Sequence, residues 1–343
     1  MVRFCSHLAW WVAALAGFTR LAPAQSRAGN PLPGLPLITH YSPTAYRAHE
    51  QVWASVQGPD GRFYFANGDG LLVYDNSGWE LIRLTNKNHV RSLGFSADST
   101  LYIGGDGEIG CLQTDDYGRL RYVSLVPRLP ASERGFSRVW TTAQIGGKMY
   151  FQTHERLFVF DGQRFSVYPT GGLLQRTFPV EGTFYGRMMD RGLVRWTGDG
   201  FEPVPGGAYF ADKPIATLLP YGPEGFLIGT EAGELVIYDG RNLRPFRTEA
   251  AGPLAEHGLE DGCWLGGDRL ALALRTGGLY VLDRAGKPLQ ALNDTHGLGS
   301  NRVLSCYPDR QGNLWLGTQS GITKVALGEP LRQLDRRLGL HGS

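Results

Sequence analysis

From about residue 37 onward, the chain is a succession of short apolar runs broken every few positions by Gly, Asp or Asn. The runs are alternating or rich in β-branched residues, and none repeats its apolar positions at 3.6. They therefore predict strands rather than helices. Residues 61–75, 225–239 and 312–325 share one pattern: an apolar strand, a turn of small residues, then Gly-Leu or a close variant opening a second strand. The apolar residue opening that second strand recurs at Leu71, Ile109, Leu157, Leu193, Leu235, Leu279 and Ile322, at intervals of 36 to 48 residues. Four-stranded propeller blades take ~40–50 residues. Within the first unit the predicted order is an inner strand at Val52–Val56, a turn at Gly58-Pro59-Asp60-Gly61, and a second strand at Phe63–Ala66. The Gly-Leu strand at Leu71–Tyr74 and an outer strand near Glu80–Arg83 follow. Pro and Gly in the first turn supply the dihedrals a tight hairpin needs.

Seven such units predict an all-β fold, a seven-bladed β-propeller of four-stranded antiparallel blades. Two segments compete to complete blade seven. Leu37–Tyr41 reads as a strand ahead of the first unit, and Pro330–Asp335 as an outer strand after the last. Closure by the N-terminal strand is favoured, because it removes the exposed edge of an open sheet.

Composition agrees with many tight turns. There are 48 glycines in 343 residues, about twice the usual share, without a collagen period. Formal charge is only +2 with no run of one sign, which argues against a nucleic-acid partner. Residues 1–24 read as a signal peptide: Arg3, an apolar stretch at Leu8–Gly17 too short to span a bilayer, and a small-x-small site at Ala22-Pro23-Ala24. The product is expected outside the cytoplasm, in the periplasm or secreted, and not membrane-spanning after cleavage. Once Cys5 leaves, Cys111, Cys263 and Cys306 remain. They read either as buried thiols or, for Cys263 and Cys306 on corresponding strands of neighbouring units, as a bridge.

The segment from Gly297 to Val325 carries Gly-Leu, Asn301-x-Val303, Asp309-x-x-Gly312-Asn313-Leu314-Trp315-x-Gly317-Thr318 and Gly321-Ile322. It resembles the repeat of the two-component regulator propeller family, in particular the extracytoplasmic sensor regions of hybrid histidine kinases. Ile38–Ser42, Gly107–Gly110 and Tyr122–Leu125 are similar to first-propeller segments of such sensors. The resemblance implies sensing through a first propeller over residues 37–327, preceded by a linker at 25–36. Residues 328–343 would then be a C-terminal segment where a second propeller would begin. No output domain is recognisable, so signalling is expected to need a partner.

Several motifs tempt and fall away. Gly105–Gly110 fits G-x-G-x-x-G but is followed by no helical pattern, so it reads as a β-turn. Asn293-Asp294-Thr295 reads as a loop before blade seven. The histidines and cysteines show no metal-ligand spacing, and G-x-S-x-G is absent, so no metal, cofactor or catalysis is expected. Aligning the inner strands instead places Trp53, Arg91, Trp140, Trp264 and Leu304 at or near equivalent positions at a channel mouth. The first four are candidate ligand-binding residues, suited to stacking and forked hydrogen bonds with a small molecule or oligosaccharide. The alternative is that these tryptophans pack between blades. At the level of function, the alternatives are a scaffold for a partner protein or a propeller lyase or hydrolase.

Overall fold

The computed structural model describes residues 34–266, 268–328 and, for the backbone, 332–333. The expected signal peptide, most of the linker and nearly all of the segment after Gly328 lie outside the described residues. Among the described residues the strands form seven four-stranded antiparallel sheets, six of them built from four consecutive strands, and one additional two-stranded pair. In blade one the strands are Val52–Gln57, Phe63–Asn67, Gly70–Tyr74 and Trp79–Ile82, close to the segments expected from the sequence. The first hairpin turns through Gly58–Gly61, with Gly61 at a φ of 85° and its N–H bonded to the Gly58 carbonyl. Gly105–Gly110 is likewise a hairpin turn between Leu101–Gly105 and Glu108–Thr114.

Blade seven joins the two ends of the described chain. Val303–Pro308, Leu314–Thr318 and Gly321–Val325 come from its end, and Ile38–Tyr41 supplies the outer strand in register Ile38↔Val325 to Tyr41↔Ile322. The competing segment takes another place: Arg332–Gln333 pairs antiparallel with Leu35–Pro36. Both segments are accommodated because the C-terminal strand adds beside the N-terminal one rather than replacing it. Tyr41 anchors the closure. Its ring stacks on Trp315 at 6.1 Å and meets Trp79 edge-on at 5.3 Å, within an apolar cluster that also holds Phe63, Phe65 and Tyr46. His40 adds a hydrogen bond to Thr323 Oγ1 at 3.0 Å.

The repeat motif of blade seven has a physical reason. Asp309 is buried, and its carboxylate accepts from the Gln311 and Asn313 amides, from Asn313 Nδ2 and, at 3.1 Å, from Trp315 Nε1. The turn and the core indole thus share one acceptor. Gly317 leaves room for the neighbouring inner strand, since a Cβ there would lie 2.4 Å from the Val52 carbonyl oxygen.

Cys111, Cys263 and Cys306 are free thiols. Cys263 and Cys306 share the apolar cluster between blades six and seven, and the Cys263 thiol together with burial pushes the Cys306 thiol well up. Asn293 caps the short turn Asp294–His296 through its side chain, in the loop before blade seven.

Candidate functional site

Six inner strands share an irregularity. Near their N-terminal ends the pairing with the second strand skips: between Val52 and Ala54, Val90 and Ser92, Leu174 and Thr177, Ile215 and Thr217, Leu259 and Asp261, and Val303 and Ser305. A bulge leaves its extra residue unpaired and re-aims the side chain. The residues so released are Trp53, Arg91, Gln175 with Arg176, Ala216, Glu260 and Leu304. Trp140 stands just ahead of Thr141–Ile145 in the remaining blade. All of them line one concavity of about 340 Å³, joined by His154, Glu231 and Arg275 from turns between second and third strands.

On one side the wall is aromatic and cationic. The Arg91 guanidinium lies 3.7 Å from the Trp53 ring centroid, and its side chain is only 9% exposed, so it is wedged rather than free. Arg91 Nε and Nη2 both donate to Asp106, at 3.1 and 3.2 Å, and Arg138 Nε donates to the same carboxylate at 3.0 Å. Burial works against the Asp106 charge, but these two guanidiniums outweigh it and hold the carboxyl below its ordinary value. Arg138 lies 4.7 Å from the Trp140 ring centroid, and Trp140 Nε1 donates to His154 Nε2 at 2.8 Å. An adjoining concavity shares Trp140 and His154 and is lined by Asn88, Asp106 and Arg138.

The opposite side is an ion-pair network. Arg275 bridges Glu231, at 2.6 Å from Nη2, and Glu260, at 3.2 Å from Nε. Arg176 reaches from blade four to Asp261 in blade six at 3.6 Å, with the Ala216 and Glu260 carbonyls at 3.4 and 3.5 Å. Burial pushes the Glu260 carboxyl up, opposed by Arg275 and Arg176. Asp261 is likewise raised by burial, opposed by Arg176, and accepts the Cys306 amide at 3.0 Å. Each arginine in the mouth therefore already has a carboxylate beside it. The surface left to a ligand consists of the two indoles, the apolar side chains of Ile215, Ala216, Leu259 and Leu304, polar edges and one amide, a set suited to stacking, apolar contact and hydrogen bonds.

Of the residues singled out from the sequence, Trp53, Arg91, Trp140 and Leu304 come together here. Trp264 does not. It sits four residues beyond Glu260 on Leu259–Leu265, ~13 Å farther along the strand. There its Nε1 donates to the Pro220 carbonyl at 2.8 Å, and its ring packs beside Tyr221 and Arg284. The blade-six counterpart of Trp53 is Glu260, and aligning on the aromatic residue displaces the register by four residues. Sequence reasoning missed Gln175, Arg176 and Glu260, which the bulge position would have identified. It also missed His154, Glu231 and Arg275, whose turns carry no distinguishing motif.

Residues 297–320, spanning the buried Asp309 turn and the Trp315 strand, match the family model described as two component regulator propeller. That segment is similar to a two component regulator propeller repeat. No curated protein matches the chain by sequence. Among solved structures, the chain is similar to the extracellular domain of the hybrid two component system BT4673 of B. thetaiotaomicron. The TM-score is 0.66 at 20% identity, covering 84% of this chain and 40% of that one. It is similar also to the corresponding domain of BT3049 from the same organism, with a TM-score of 0.65 at 14% identity over 85% of this chain and 42% of that one. The chain thus spans about two-fifths of the length of these extracellular domains. Virginiamycin B lyase of Staphylococcus aureus has a TM-score of 0.65 at 10% identity over 85% of this chain and 99% of its own. At these identities the likeness is one of fold. No helix among the described residues is long and apolar enough to cross a membrane.

Proposed function

We propose that this regulator-type propeller is a non-catalytic, extracytoplasmic recognition module of a sensor, and that it takes a small molecule or oligosaccharide at the channel mouth. The observation that carries this reading is the convergence of Trp53 and Arg91, released by bulges in two successive blades, with Trp140 from the head of the next inner strand in one concavity. Similarity in fold to extracellular domains of hybrid two component systems supports the sensor setting. So does the apolar segment at the N-terminus read as a signal peptide.

The test is a thermal-shift screen of the full chain against sugars, oligosaccharides and organic acids, followed by calorimetry on any compound that stabilises it. Trp140→Ala is expected to weaken binding at least tenfold, while the melting temperature of the free protein moves little. An unchanged affinity in Trp140→Ala, or the absence of any stabilising compound, overturns the reading. A second reading, a contact for a partner signalling protein, is favoured by Leu173, Met189 and Tyr209. These are exposed large apolar side chains in loops and turns of blade four and the connection to blade five.

A further inference from the structure

His154 belongs to both concavities and is the one member of the mouth whose hydrogen bonds fix its protonation. Its Nδ1 lies 2.9 Å from the Leu174 carbonyl oxygen, which only accepts, so Nδ1 carries the proton. Its Nε2 lies 2.8 Å from Trp140 Nε1, which only donates, so Nε2 offers its lone pair. The two bonds coexist only in the neutral ring. Adding a proton sets one N–H against another across the Trp140 contact.

From this geometry we propose that His154 is a proton-sensitive positioning residue: neutral, it fixes the Trp140 indole as a wall of the mouth, and protonated, it releases it. The proposal rests on reading the mouth as the ligand site and adds its regulation. Which partner yields is set by the backbone. The His154 carbonyl accepts from the Leu174 amide at 2.9 Å and from Thr170 Oγ1 at 3.1 Å, and Nδ1–H keeps its carbonyl partner in either state. The Trp140 indole has no hydrogen-bond partner beyond His154 among the described residues, so the indole moves.

The charged groups around this pair come from several elements. On the Trp140 side, Arg138 lies over the indole and shares the single Asp106 carboxylate with Arg91, which leaves one net positive charge there. On the channel side the concavity brings Arg91 from blade two and Arg176 from blade four. Across the mouth stand Glu231, Glu260 and Arg275, already paired with each other. Glu155 follows in the same turn, and the next residue, Arg156, is paired with Glu133 at 3.3 Å. No carboxylate bonds to the imidazole, so nothing in this set replaces the lost acceptor for Trp140 or clamps the protonated ring against it.

The experiment reads the indole N–H resonances of the ¹⁵N-labelled full chain between about pH 8 and about pH 5, the span in which histidines titrate. The Trp140 signal is assigned by its disappearance in Trp140→Phe. It is expected to move upfield on acidification as the hydrogen bond is lost, in step with the His154 ring carbons. In His154→Gln, whose amide oxygen can still accept from Trp140, it is expected to stay in place. A Trp140 resonance that does not move in the unmodified protein overturns the proposal without recourse to any variant. So does one that moves equally in His154→Gln. Because no ligand is needed, the outcome is independent of the recognition reading: a Trp140 signal that titrates in a protein no compound stabilises supports the switch and removes the ligand.

Discussion

Two aromatic regions of the ring use the same side chains to different ends. At the seam between blades seven and one, Trp315 is 1% exposed, Phe63 lies 4.3 Å from it, and its only polar atom is bonded to Asp309. At the mouth, Trp53 and Trp140 are half-buried, each with a guanidinium against its face, and each at the start of an inner strand. Trp315 lies on a second strand, Leu314–Thr318, in a regularly paired stretch where side chains alternate into the space between blades. Trp53 stands where the ladder skips, and Trp140 immediately ahead of its inner strand. Residue type says little about the role of a tryptophan here; its place relative to the bulge decides it.

The largest test of that contrast is truncation. Trp315→Ala is expected to cost ~3–5 kcal/mol, the range for large aromatic deletions in a packed core, whereas Trp53→Ala should cost under ~1 kcal/mol. Urea unfolding followed by circular dichroism measures both. Equal losses would return the mouth tryptophans to a packing role. A smaller effect sharpens the seam alone. Asp309→Ala leaves Trp315 Nε1 and the Asn313 side chain without their buried acceptor, and is expected to cost ~1–3 kcal/mol. A stability within error of the unmodified chain would show that the motif's carboxylate does not support the indole.

The smallest effect distinguishes turns from both regions. Asp75, Asp161 and Asp239 occupy equivalent outer hairpin turns, and each accepts the two backbone amides that follow. The Ser77 hydroxyl, together with those amides, lowers Asp75 to about 2, and the backbone amides lower Asp161 and Asp239. A carboxyl lowered in the folded state contributes stability above its unfolded value, near pH ~4, and loses it as pH falls through the folded one. The melting temperature should therefore decline below about pH 4, and Asp75→Asn should remove a small part of that slope. An unaltered slope in the variant would assign acid lability elsewhere.

The blades were legible because their chemistry is local. Hairpin turns such as Gly58–Gly61 and the Gly-Leu openings repeat in sequence, and the period follows from them. Closure by Ile38–Tyr41 was also readable, as a strand with no partner nearby, although the pairing of Arg332–Gln333 with Leu35–Pro36 was not. The mouth was legible in part. Trp53, Arg91 and Trp140 mark inner-strand starts, but a skip in the ladder leaves no trace in hydrophobic pattern, and the tryptophan of the blade-six inner strand lies four residues beyond Glu260. His154, Glu231 and Arg275 meet these residues only after three separate turns are gathered on one face, a relation that no spacing along the chain encodes.

The outer strand of blade seven is made first and used last. His40 meets Thr323 across a separation of 283 residues, so the earliest strand waits through the synthesis of every blade before it finds its ladder. Long-range pairing of this kind is slow, and until it forms both ends of the arc present open edges. Circularity thus works as a length check: a chain cut before Gly321–Val325 has nowhere to dock Ile38–Tyr41, however well its earlier blades are formed.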